Sequence, residues 1–128
     1  MRKFIIDNIK IYIGKTAIDN TNLVNNFKGT GFTWFHLKDY PSAHLIIEKE
    51  REKLNDMEIQ LCANMVKYYS KLRKEWTQKY YVDIVNINNV VPHKKPGLVT
   101  ISQTKNIKIK PCFGFNPDNF IYKEKDEK

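Results

Sequence analysis

No apolar run in this chain of 128 residues approaches the roughly 20 that a membrane-spanning helix needs. The opening segment, MRKFIIDNIKIYIG, sets Asp7, Asn8 and Lys10 among its apolar residues, which spoils it as a secretory signal. Glycine and proline are scarce, five of each, so a linker or a fibrous repeat is excluded. Cysteine is scarcer: Cys62 and Cys112 are the two, too few for a disulfide framework and in keeping with a reduced, cytoplasmic protein. A P-loop, a dinucleotide glycine fingerprint, HExxH and an EF-hand loop are all missing. His36, His44, His93 and the cysteines could in principle gather around zinc, but an H-x7-H spacing with isolated cysteines matches no usual close pairing of ligands. Neither a metal nor a cofactor is expected.

What remains is a chain 41% hydrophobic and 12% aromatic, of a length suited to one folded domain. Its formal net charge is +8, and the distribution is uneven. Residues 60–111 hold ten Lys and Arg against Glu75 and Asp83, while the rest of the chain balances twelve basic with twelve acidic residues. All the net charge therefore lies in one continuous half. Nucleic acid or an acidic membrane surface are the obvious partners of such a stretch.

The pattern predicts an α+β domain in which an antiparallel sheet carries one long amphipathic helix packed on a face and a short second helix. FIID (4–7) and IKIYIG (9–14) read as a hairpin around Asp7 and Asn8. Asp19 and Asn20 can cap the short helix, which runs through Asn26 with Leu23 and Val24 inward. In GFTWFHLK, Phe32, Trp34, His36 and Lys38 share one face and Thr33, Phe35 and Leu37 the other. HLIIEK returns antiparallel to it. The long helix spans about Met57 to Trp76. Asn55 and Glu58 form its capping box, and Ile59, Cys62, Met65, Val66, Tyr69, Leu72 and Trp76 form its buried stripe. YYVDIV (80–85) is a strand. LVTIS (98–102) and NIKIKP (106–111) are expected to form a hairpin, after a loop carrying His93, Lys94, Lys95 and Gly97. Residues 1–113 make the domain and 114–128 a charged tail, whose KEKDEK end is too charged to pack and is expected to be frayed or helical.

Two constellations carry chemistry. Lys67, Lys71 and Lys74 recur at helical spacing and span roughly 10 Å, comparable to one or two phosphate repeats; they are either a phosphate-binding face or a solvated one. Around the turn in TWFHLKDYPSAHLII, Trp34, His36, Lys38 and His44 either project as a stacking surface with phosphate donors, or Trp34 sits in the core and His44 holds the turn. Asp39 with His36 or His44 could make an acid/base pair, though no recognisable substrate pocket accompanies it.

WFHLKDYPSAHLII resembles the W-F-H…P-G-S-H-V-I-I signature of the NFACT-R domain. Gly14, Lys15, Asn20 and Leu23 are similar to that domain's opening G-[RK]-x-x-x-x-N-x-x-L. Tyr69, Ser70 and Lys71 resemble its A-x-Y-S-K stretch. Val82, Val85, Val90, Val91, Lys94, Lys95 and residues 96–99 resemble its V-x-[YV]…V-x-K…P-G-x-V ending. The resemblance covers residues 9–111 and is closest to small stand-alone eukaryotic members. Ser42 departs from it, standing where the signature has glycine.

The resemblance implies RNA or ribosome binding without catalysis. Its long members also carry domains that bind tRNA and direct C-terminal tailing on stalled 60S subunits, and those are not expected here. Carried over by position, the functional set is Gly14, Lys15, Asn20, Trp34, His36, Lys38, Asp39, Ser42, His44, Lys94, Lys95 and Gly97, to which the helix adds Lys67, Lys71 and Lys74. The expected partners are ribosomal RNA or tRNA and the ribosome, with no membrane and no small-molecule substrate. The expected role is translation quality control or ribosome dormancy by occupying a site. The rival readings are a protein- or DNA-binding adaptor and, behind it, a small hydrolase using His36, Asp39 and His44.

Overall fold

Asp7 and Asn8 both take left-handed backbone angles, with φ of 47° and 67°, as the tight two-residue hairpin turn demands. They join β1 (Arg2–Ile6) to β2 (Ile9–Ile13) with Arg2 opposite Ile13. The computed structural model describes residues 1–75, 78–102, 105–109, 115–117 and 122–123. Trp76, Gln103, Thr104, Lys110, Cys112 and residues 124–128, on which several expectations fall, lie outside the described residues.

The remaining elements are α1 (Ala17–Phe27), β3 (Thr33–Leu37), β4 (Leu45–Ile47), α2 (Asp56–Tyr68), β5 (Tyr80–Asn86), β6 (Val90–Pro92), β7 (Val99–Ile101), β8 (Lys105–Ile109) and β9 (Tyr122–Lys123). Seven strands form an antiparallel sheet in the order β8-β5-β3-β4-β2-β1-β9, while β6 and β7 pair separately. The fold class is the expected α+β. The expected hairpin of 98–102 with 106–111 is not formed: β7 pairs with β6, and β8 pairs with β5. Beyond residue 113, Phe115 is buried in the core and β9 pairs with β1.

The sheet is covered on both faces. Ile59, Cys62, Ala63, Met65 and Val66 of α2 pack with Phe4, Ile11, Ile13, Phe35, Leu37 and Leu45. Leu23 and Val24 of α1 pack with Tyr12, Trp34, Ile46, Val85 and Val90. The alternation read in β3 is correct, and each side finds its own core. Burial, and secondarily the Glu58 charge, push the Cys62 thiol above its ordinary range.

Both helices begin by side-chain capping. The Asn55–Glu58 box is complete, with both hydrogen bonds made. The cap of α1 is Thr16, whose hydroxyl accepts from the Asp19 N–H at 3.0 Å. Asp19 and Asn20 are already helical, one turn later than expected of a cap.

α2 is not the single long helix expected. It stops at Tyr68 because the chain there is recruited by another segment: the Ala43 N–H donates to the Tyr69 carbonyl at 3.2 Å, and Ser42 bridges Ser70. Residues 71–74 form turns, stabilised from inside by Lys67. Its ammonium donates to the Leu72 carbonyl at 2.7 Å and the Arg73 carbonyl at 3.2 Å. Lys67 is 1% exposed and does not share an outer face with Lys71 and Lys74. A substitution at Lys67 acts on folding before it acts on any ligand.

Gly14 ends β2 at a point of close approach. A Cβ there would lie 1.8 Å from Asn20 Oδ1, the oxygen that accepts the His44 backbone N–H at 3.2 Å. Gly14→Ala is expected to cost roughly 1–3 kcal/mol through overpacking, read as a lowered urea midpoint with an unchanged slope. An unshifted midpoint would mean that Asn20 can move away without loss.

Candidate nucleic-acid interface

Strand register collects the basic residues. Arg2 lies opposite Ile13, Ile13 opposite Leu45, and Leu45 opposite Phe35. Leu37 lies opposite Val82, and Tyr81 opposite Lys108. The start of β1, the end of β2, the β3–β4 loop and the start of β5 therefore share one end of the sheet. α1 starts there and α2 finishes there. The far end carries the Asp7 and Asn8 turn and the start of α2, with cations matched to carboxylates. Lys49 pairs with Glu58 at 2.9 Å and Lys53 with Glu50 at 3.3 Å.

At the basic end lies a cavity of about 440 Å³, lined by residues 14–17 with Asn20, residues 41–43, residues 69–71, and Arg2 and Arg73. Three separated sequence motifs thus meet in one place. Among the described lining residues there is no carboxylate. The two guanidinium groups rest on rings: Arg2 is 4.5 Å from the Tyr69 centroid and Arg73 is 4.3 Å from that of Tyr68. Arg73 Nε also donates to the Tyr68 carbonyl at 2.9 Å. Cation–π and carbonyl contacts orient a cation and leave its charge in place. The adjacent Asp19 carboxylate accepts the Lys15 backbone N–H at 2.8 Å and pairs with the N-terminal amine at 3.0 Å.

Of the residues expected from sequence, Gly14, Lys15, Asn20, Ser42 and Lys71 line this cavity. Lys94 and Lys95 are exposed on a tight loop beside it. That loop is closed by the His93 N–H to Leu98 carbonyl bond at 2.8 Å. It docks on α1 through the Gly97 N–H, which donates to Thr21 Oγ1 at 2.7 Å. Gly97 has φ of 82°, and a Cβ on it would come within 3.1 Å of Ala17, itself a lining residue. Lys74 is exposed in the turn after α2. Lys38 is half-buried at the same end, its N–H donating to the Tyr81 carbonyl at 3.0 Å. Ser42 Oγ accepts the Leu37 N–H at 3.1 Å, so serine closes the turn where the signature has glycine. Asp39, with φ of 69°, shapes that turn. Sequence reasoning missed Arg2, Arg73, Pro41 and Tyr69, because nothing local marks a β1 arginine as a neighbour of residue 71.

Trp34, His36 and His44 are together, Trp34 and His44 inside and His36 half-buried. Trp34 stacks on His36 with ring centroids 5.6 Å apart and 3° between planes, and His44 meets both edge-on at 5.2 Å. Trp34 and His44 are 1% and 2% exposed, so neither projects as a stacking surface. Trp34 Nε1 and His44 Nδ1 are buried with no hydrogen-bond partner among the described residues. Burial pushes the His44 pKa down to about 3, helped by the His36 charge and opposed by a backbone hydrogen bond with Gly97. Burial also lowers that of His36, against a backbone hydrogen bond at Leu37 and the Asp83 carboxylate. Across β3 and β5 the residue opposite His36 is Asp83, not Asp39. His36, Asp39 and His44 do not line the cavity. Among the described residues, no three His, Cys, Asp or Glu side chains are placed to hold a metal ion, and no helix is long and apolar enough to cross a membrane.

Residues 3–101 match the model of the NFACT protein RNA binding domain. The chain belongs to that family. It is 29% identical over 105 residues to the Rqc2 homolog RqcH of Streptococcus suis, an alignment covering 79% of this chain and 18% of the relative. It is 26% identical over 103 residues to the Rqc2 homolog RqcH of Streptococcus pneumoniae, with the same coverage. The chain thus spans less than a fifth of these curated relatives' length. Among solved structures, it is similar to the C-terminal part of the fibronectin/fibrinogen-binding protein from Streptococcus suis. The TM-score is 0.74 and the identity 25%, over 87% of this chain and 45% of that one. These relatives are bacterial, so the expected likeness to small eukaryotic members finds no support in them.

The buried histidine makes stability depend on pH in a calculable direction. The unfolded chain takes up a proton at His44 near pH 6.5, while the fold does not until about pH 3. Stability is intact above pH 6.5 and falls as pH drops through that window, by a few kcal/mol at its lower end, about 1.4 per pH unit. His36 adds in the same sense. Denaturant midpoints between pH 7 and 4 check this, and His44→Phe is expected to flatten the slope.

Proposed function

We propose that this chain binds RNA without chemistry, using the basic cavity and the adjoining Lys94 and Lys95 loop as its contact surface. The observation that carries the reading is the convergence of Lys15, Lys71, Arg2 and Arg73 on one cavity with no carboxylate among its described lining residues, within a domain of an RNA-binding family. Ribosomal RNA or tRNA is the class we assign, in keeping with the Rqc2 homologs among its relatives. Action by occupancy fits such a surface: a chain bound at a ribosomal or tRNA site excludes competing ligands, in quality control or in dormancy.

The physics of contact is counterion release. If the four cavity cations each neutralise a phosphate on a single strand, log affinity falls with log salt at a slope of about −3. Polarity of the surface also orients the encounter, because the far end is paired and nearly neutral. Lys15→Glu with Lys71→Glu is expected to remove RNA binding while the melting temperature holds. Lys10→Glu, exposed near the opposite end, is expected to leave affinity within about twofold, since screening confines its field to roughly 8 Å. Anisotropy titrations across salt, with ribosome co-sedimentation before and after RNase, measure both. Salt-independent binding, or full binding by the double variant, rejects this surface.

A further inference from the structure

We infer that the basic cavity receives one unpaired nucleotide of an RNA strand, base and ribose included, instead of gripping a phosphate alone. The inference rests on the RNA-binding reading and adds the form of RNA that the site takes.

Volume is the first argument. A phosphate fills the space of a few waters, each about 30 Å³, and would leave most of a 440 Å³ cavity empty. That volume falls within the range of about 300–1,000 Å³ typical of clefts that hold small organic ligands.

The lining is the second. Cations form one part of it, and Ala17, Pro41, Ala43 and Tyr69 supply apolar wall. A nucleotide has that same division, an anionic phosphate beside a flat ring system. The Arg2 guanidinium, already stacked on Tyr69, gives a plane of the kind on which unpaired bases lie.

The third concerns selectivity. Two of the four hydroxyls lining the cavity are committed to the protein as both donor and acceptor: Ser42 Oγ accepts from the Leu37 N–H and donates to the Ala43 carbonyl. Ser70 Oγ donates to the Lys67 carbonyl and accepts from the Leu72 N–H. With both serines committed, the flat face of the base makes the main contact. Such binding tolerates any base. A base inside a duplex presents no free face and cannot enter.

The test compares a short labelled single-stranded RNA with its blunt duplex, by anisotropy at one physiological salt concentration. The single strand is expected to bind roughly tenfold tighter, the worth of one stacked base, with uridine and adenosine homopolymers within about threefold of each other. Pro41→Trp, exposed at the rim and neutral, is expected to fill the cavity and erase the preference by lowering single-strand affinity to that of the duplex. If that variant melts early, Arg2→Gln replaces it: both affinities are expected to fall with the lost charge, the single-strand affinity further, so that the preference shrinks. Equal affinity for single strand and duplex in the wild type overturns the inference and leaves RNA binding standing. Adenosine monophosphate binding as tightly as the strand also overturns it, by making the site one for free nucleotides. Failure to bind either RNA refutes the underlying reading instead.

Discussion

A missing side chain organises this fold. Because Gly14 has no Cβ, Asn20 can lie against the end of β2 and accept the backbone N–H of His44. The Gly14 N–H in turn donates to the His44 carbonyl at 3.1 Å. Three segments far apart in sequence, the end of β2, the first turns of α1 and the start of β4, are locked within one residue's reach. Everything at the basic end is referenced to that lock. Lys15 follows Gly14 directly, residues 41–43 lead into His44, and Gly97 reaches the same place through Thr21 and Ala17.

The two ends of the sheet treat charge in opposite ways, and this difference gives the domain a direction. At the far end, lysines meet carboxylates within 4 Å, and Tyr12 adds a hydrogen bond to Glu48 at 2.6 Å. At the cavity, Arg2 and Arg73 are steadied by tyrosine rings and a carbonyl. A carboxylate partner would hold an arginine equally still but would cancel the field that a polyanion feels. Rings and carbonyls fix the geometry and keep the charge. Such an arrangement costs fold stability through like-charge repulsion, which the lock at Gly14 and the two buried cores have to offset.

Much of the architecture was legible because it is local. Alternation in β3 assigns Trp34 and His36 to one side and Phe35 and Leu37 to the other, and pleat geometry guarantees it. The box of Asn55 and Glu58 is a contact across three residues. The helix end was not legible, because the apolar period continues through Tyr69 and Leu72 while what stops α2 is a bridge to Ser42. The partner of β7 was hidden for the same reason: the short link to β8 invites a hairpin, yet β7 pairs across the longer loop with β6. Trp34 and His44 looked suited to a surface because a polar alternation usually means a wet face. Here α1 covers that face, a tertiary fact no window of sequence contains. The motif residues were found at the right place, but half of the cavity's cations, Arg2 and Arg73, came from positions with no motif.

Lys67 shows why reading a helix as a charged stripe misleads, and also what a buried cation contributes. Its ammonium is fastened to two carbonyls, those of Leu72 and Arg73. Burial lowers its pKa, and the Glu75 carboxylate pulls the other way and favours the protonated form. It holds the turn that presents Lys71 and Arg73. One residue thus joins the folding of the α2 end to the placement of the site's cations. The division between structural and binding lysines follows from where each ammonium ends, and spacing along the chain does not reveal it.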